Sequence, residues 1–189
     1  MRNEPIQYKD IRQQMRIGDM IGCRSAGKVG RLIRYFKGGA ADLSHVATIF
    51  TDTMANPEGR VSVLEAVGQG MKITPLTEAY ERDHGEIYWM PMHLSDVQML
   101  MVRTRGWKML EKKKKYDYWA TIKALFSPIC VDFARYNCSE SWWVLMLACQ
   151  AVKAKFHKGR SIAPVPGDCA LWADRKLYKI DMKKRTATA

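Results

Sequence analysis

At 189 residues, 47% of them hydrophobic, the chain can build a substantial core without metal or disulfide staples. Its cysteines, Cys23, Cys130, Cys138, Cys149 and Cys169, are odd in number and include no C-x-x-C pair, which argues against a zinc ribbon or a complete disulfide framework and for reduced, cytosol-like thiols. The net charge of +12 is uneven: residues 40–98 carry nine acidic and three basic side chains, and the remainder is strongly basic. Such a surface favours anionic partners (nucleic acid, phospholipid headgroups or other polyanions), although lysine runs taken alone read most simply as a solvated surface.

The N-terminal MRNEPIQYKDIRQQ has no apolar signal-peptide core, and the longest apolar run, Trp142 to Cys149, is far too short to span a membrane. A soluble protein without signal peptide is expected, most simply cytoplasmic. IGDMIGC, residues 17–23, reads as a strand entered through Gly18-Asp19, and GKVGRLIRYFKGG as a short helix closed by Gly38-Gly39. SHVATIF and RVSVLEAV are β-rich runs flanking the loop TDTMANPEG, so together they predict a hairpin. GMKITPL adds a third strand ending near Pro75, and GEIYWMPM a fourth.

From Leu94 the period changes. LSDVQMLMVRTRGWKMLEKKKK has Ser95 as a cap and an approximately helical apolar stripe interrupted by Gly106. YDYWATIKALFSPICVDFARYN follows with short helices around Pro128, then the apolar helix NCSESWWVLMLACQAV, and then a basic tail from Lys153. Strands in the first half and helices mainly in the second indicate α+β rather than a doubly wound fold. The expected organisation is a single domain over 1–189, with a core of about residues 17–150 and a basic C-terminal extension over 153–189.

Chemistry centres on Cys138. Asn137 is a good N-cap and Glu140 completes a capping-box-like arrangement, which puts Cys138 at N1, where backbone N–H groups and the helix dipole favour a thiolate. The plainer reading is an ordinary buried helix face, because Cys138, Trp142, Leu145, Cys149 and Val152 recur at helical spacing. A nucleophilic cysteine needs a base and an orienting group. Of the four histidines, His84, His93 and His157 lie in polar contexts, whereas His45 opens the apolar run SHVATIF. Glu65 lies inside the equally apolar VSVLEAV, and a hairpin register pairing numbers that sum to 110 sets it opposite His45, about 5 Å away on one face. A one-residue slip would separate the two. A core histidine and a solvent-facing strand carboxylate are the competing readings.

These segments in this order, IGDMIGC, LSHVATIF, VLEAVGQGMKITPL, KKYDYW and YNCSESWW, resemble the permuted papain-like cysteine hydrolases of the YiiX/YebB type, in the NlpC-like superfamily to which the lecithin:retinol acyltransferase group is related. The resemblance covers residues 17–150. It implies a circularly permuted papain-like fold with an antiparallel sheet packed on later helices, Cys138 as nucleophile, His45 as base and then acid, and Glu65 as orienting residue. Tyr116 corresponds to a tyrosine that lines the site, with Tyr118 as a competitor. Two departures, the helix start SESWW where an aliphatic residue commonly follows Ser-Glu and the Lys112–Lys115 run before the Tyr-Asp pair, bear on substrate preference.

The leading expectation is hydrolysis of an amide bond, in a peptide or cell-wall peptide, without metal or organic cofactor. Lipid acyl transfer, phospholipid hydrolysis or thioester hydrolysis on the same fold is the alternative. The rival from another class is a basic module binding nucleic acid or polyanions, using the lysines beside Trp107, Tyr116 and Trp119. That rival gives no reason for His45 and Glu65 to lie in matched strands. The sequence leaves the oligomeric state open.

Overall fold

Residues 4–37, 41–51, 60–68, 70–83, 85–111, 129–130, 137–157 and 160–182 are described by the computed structural model. The β-rich runs form β1 (Ile6–Gln7), β2 (Met20–Arg24), β3 (His45–Ile49), β4 (Ser62–Val67), β5 (Gly70–Pro75) and β6 (Glu86–Met90). Later come β7 (Ile129–Cys130), β8 (Lys155–His157), β9 (Arg160–Ala163) and β10 (Tyr178–Asp181). The helices are α1 (Tyr8–Ile11), α2 (Lys28–Lys37), α3 (Leu76–Asp83), α4 (Asp96–Glu111), α5 (Cys138–Ala148) and α6 (Cys169–Ala173).

A seven-stranded sheet runs in the order β1-β10-β6-β2-β3-β4-β5, antiparallel except for the β1–β10 pair, and β7-β9-β8 form a smaller sheet. The architecture is α+β. The large sheet is not confined to the first half of the chain, because Tyr178–Asp181, from the stretch read as an extension, sits between β1 and β6. Its neighbours supply the ladder that a short strand such as YKID cannot form for itself.

Strand alternation gives the sheet two apolar faces. One presents Met20, Val46, Leu64, Ala66 and Met90 to α5; the other presents Ile21, Ala47, Ile49, Val63 and Trp89 to Leu76 and Ala79 of α3 and to Ile11 and Met15. Cys138 through Met146 are all buried, so α5 has no polar face, and the expected single stripe is replaced by contact on every side with the sheet and α4. Such all-round burial is what a nearly continuous apolar run produces. No helix among the described residues is long and apolar enough to cross a membrane.

Two polar devices set the positions of these layers. Asp19, 2% exposed, accepts from Arg16 N–H (3.0 Å), Trp89 Nε1–H (2.9 Å) and Met92 N–H (2.8 Å), tying the entry of β2 to the exit of β6. Ser95 caps α4: its Oγ accepts from Gln98 N–H at 3.3 Å while Gln98 Oε1 accepts from Ser95 N–H at 3.0 Å. Gly106 then lets α4 close on the sheet, since a Cβ there would stand 2.3 Å from the Phe50 ring.

The hairpin is present but its register differs from expectation. Thr48 pairs with Leu64 and Ile49 with Val63, so paired numbers sum to 112 rather than 110, and Phe50 N–H donates to Ser62 O rather than facing Arg60. The shift is by two residues, which leaves each side chain on its expected face because the strand period is two. In this register Glu65 lies diagonal to His45, not directly opposite.

Candidate active site

The first turn of α5 is built by Asn137, whose extended backbone (φ −91°, ψ 177°) turns the chain into the helix. Its Oδ1 accepts from Glu140 N–H at 2.9 Å and from Ser139 Oγ–H at 3.1 Å, and Glu140 Oε2 accepts in return from Asn137 N–H at 3.4 Å. The capping box expected from the sequence is therefore formed, and Cys138 occupies N1. Asn137, Ser139 and Glu140 are all buried, so these bonds replace water that the burial removes. With Oδ1 committed, Asn137 Nδ2 is a buried donor without an acceptor among the described residues.

His45 opens β3 and is mostly buried. Its Nε2 lies 3.0 Å from Glu65 Oε2, which leaves Nδ1 for the Cys138 thiol. Glu65 is fully buried and holds four donors: Thr74 Oγ1–H (2.6 Å) and Arg82 Nη1–H (2.8 Å) reach Oε1, while Arg82 Nη2–H (2.8 Å) and His45 reach Oε2. Thr74 comes from β5, where its neighbour Lys72 pairs with Glu65, and Arg82 comes from α3. A planar guanidinium gripping a carboxylate with two parallel bonds is the strongest common form of such a pair. Burial alone would raise the Glu65 carboxyl, but the bonds from His45, Arg82 and Thr74 overcome it and hold the group well below its usual range.

The remaining charges follow from that anchor. Burial disfavours a charged His45, yet the Cys138 thiolate and the Glu65 carboxylate together push the imidazole up to about 10. Burial likewise opposes a charged Cys138, but the His45 imidazolium and the backbone N–H groups of Val46 and Ser139 lower it below the ordinary thiol value. Cys149 and Cys169 move the other way, raised first by burial, with the charge of Cys138 adding to the rise at Cys169. The β3–β4 ladder comprises Thr48–Leu64 and Ile49–Val63 and stops short of His45.

Among the expected residues, Cys138, His45 and Glu65 are brought together. Tyr116 and Tyr118 lie outside the described residues, as do the loop over 52–59 and the Lys112–Lys115 run. Arg82 and Thr74 were not anticipated. A signal existed in Glu65 itself, since a carboxylate within an apolar strand requires a buried partner and usually a cation.

No family model matches this sequence, and no curated protein does. One similar solved structure is the crystal structure of the metalloprotein YiiX from Escherichia coli O157:H7, at a TM-score of 0.64 and 18% identity, covering 90% of this chain and 98% of that one. The likeness is one of fold. The neighbour is described as a metalloprotein, but the described residues of this site do not fit a metal centre. Glu65 already holds a guanidinium with both oxygens, and no group of three or more His, Cys, Asp or Glu side chains able to hold a metal ion occurs among the described residues.

Proposed function

We propose that the protein is a cysteine hydrolase of the permuted papain-like, NlpC-related type, with Cys138 as nucleophile, His45 as base and then acid, and Glu65 as orienting residue. The observation that carries this reading is the continuous chain of polar contacts from Arg82 through Glu65 and His45 to a thiol at a helix N-terminus. A merely structural core cysteine does not need it. The fold likeness to YiiX supports the same reading, as does the order of histidine on a strand before cysteine on a later helix.

In the proposed reaction the Cys138 thiolate attacks the carbonyl carbon of an amide, and the tetrahedral oxyanion is met by the Cys138 backbone N–H, with Tyr116 as the side-chain donor expected from the resemblance. The C–N bond then breaks, His45 gives its proton to the departing amine, and a thioester remains on sulfur. Neutral His45 next takes a proton from water, hydroxide attacks the thioester carbonyl, and the acid leaves as the thiolate–imidazolium pair is restored. Glu65 stabilises the imidazolium at both stages.

Acyl transfer or hydrolysis on a lipid ester is a second reading, favoured by one feature: α4 exposes Val97, Leu100 and Trp107 beside the cations Arg103 and Lys108. The nucleic-acid reading draws on net charge and on the lysines beside Trp107, Tyr116 and Trp119, and assigns no task to the buried pair. Intact-mass analysis after mixing with p-nitrophenyl acetate tests the proposal. It predicts an acetyl adduct mapped to Cys138, absent from Cys138→Ser and slowed in His45→Ala. Adducts spread over the other cysteines, equally in all three proteins, would refute it.

A further inference from the structure

At the same end of the sheet as His45, a cavity of about 440 Å³ opens beside the start of α2, lined by Arg24, Ala26, Arg31, Arg34, Gly85 and Glu86. Its position relative to the thiol follows from the register. Cys23 pairs with His45 on one side of β2, and Arg24 pairs with Glu86 on the other. By alternation Arg24 shares the sheet face of Gly22 and Val46, the face on which α5 packs. Arg24 thus stands on the strand next to His45 at the same end of the sheet, its side chain on the α5 face and that of His45 on the other. Gly85 lets the chain close in there, because a Cβ would stand 2.1 Å from the Arg24 carbonyl oxygen.

The charges around this cavity do not cancel. Arg24 and Arg34 both reach Asp42, Arg24 also reaches Glu86 at 3.4 Å, and Glu86 is bonded by Lys179. With Arg31, four cations share two carboxylates among the described residues. Arg34 is fixed by donating to the Ser25 carbonyl, and Arg31 donates from Nε to Ala26 O at 3.1 Å while its side chain stays exposed. Guanidinium groups held by backbone carbonyls present a preset fork of N–H donors, suited to carboxylate or phosphate oxygens.

We propose that this arginine-lined cavity holds an anionic group of the substrate, a carboxylate or a phosphate, while Cys138 attacks a carbonyl a few bonds away. The inference rests on the cysteine-hydrolase reading above and narrows its substrates to acyl compounds carrying negative charge near the scissile bond.

Iodoacetamides bearing equal-length tails that end in a carboxylate, a phosphate or a neutral amide test it through the rate of Cys138 alkylation in the whole chain. Anionic tails are expected to react about tenfold faster than the neutral one, the scale of one charge-assisted hydrogen bond. The preference should shrink in Arg31→Gln and persist in Lys108→Gln, a change on α4 away from the cavity, with thermal midpoints showing that both variants fold. The carboxylate and phosphate arms identify which anion is preferred. Equal rates for all three tails, with the neutral probe fast at pH 6–7, would overturn the anion site and leave the hydrolase reading standing. A preference lost equally in Lys108→Gln would trace it to the overall charge and also overturn the site. A neutral probe no faster than an ordinary thiol would remove the hydrolase reading, and the anion site with it.

Discussion

Replacing Glu65 by Gln probes the anchor of the site. The carboxylate takes four donors, two from Arg82 and one each from Thr74 and His45, with no exposure to water. A glutamine of the same shape can accept at one oxygen only, and its amide N–H group must face donors from Arg82 or His45. Each hydrogen bond to a charged group contributes about 1.5–3 kcal/mol, and an unmatched buried donor costs about 1–3 kcal/mol. Arg82 is more than a third exposed and recovers part of its loss in water, so about 3 kcal/mol is expected. For a chain of this length that corresponds to roughly 6–12 °C in thermal midpoint.

The loss should depend on pH with a definite sign. Glu65 is held below its unfolded value, so its contribution is fully present above about pH 4.5 and fades as the pH falls further. Urea unfolding at pH 7 and at successively lower pH measures this, and the gap between wild type and Glu65→Gln should close in acid. Alkylation of Cys138 should slow at neutral pH in the same variant, because His45 loses one of the two charges that raise it. Equal stability at pH 7 together with unchanged thiol reactivity would refute the reasoning.

Gly106→Ala should destabilise by about 1–2 kcal/mol despite a helix-propensity gain near 1 kcal/mol, because its Cβ meets the buried Phe50 ring at 2.3 Å; adding Phe50→Leu should return part of the loss in urea titrations. Asn137→Ala removes the cap oxygen and should cost about 1 kcal/mol and slow Cys138 alkylation at pH 7, whereas Asn137→Ser keeps a cap acceptor and should restore most of the stability. Asp19→Ala leaves Trp89 Nε1–H and two backbone N–H groups without their acceptor, and a loss of about 2–4 kcal/mol is expected by chemical denaturation.

The site was legible wherever local chemistry carries long-range meaning. Asn137 followed by Glu140 specified a helix start irrespective of the fold, and the box forms. His45 and Glu65 were placed on one face although the register was wrong by two, because parity survives an even shift. The partner of Glu65 was hidden because Arg82 sits on α3, LTEAYERD, a short and mostly polar segment whose helix is held by Leu76 and Ala79 packing against the sheet. Similarly, β10 owes its strand state to pairing with β6 across some ninety residues of chain, which no local pattern encodes. The apolar helix misled in the opposite sense, since a helix buried on every side erases the stripe by which a face is recognised.

The central claim is that Cys138 and His45 form a thiolate–imidazolium pair. Its most direct test is the rate of Cys138 alkylation by iodoacetamide from pH 5 to 10, in wild type and in His45→Ala, with the modified residue mapped by mass spectrometry. With Cys138 lowered and His45 raised to about 10, wild type should react at and below neutral pH. The alanine variant should become reactive only as pH passes the ordinary thiol value near 8.5 or above. Superimposable profiles for the two proteins, both rising near 8.5, would contradict the account.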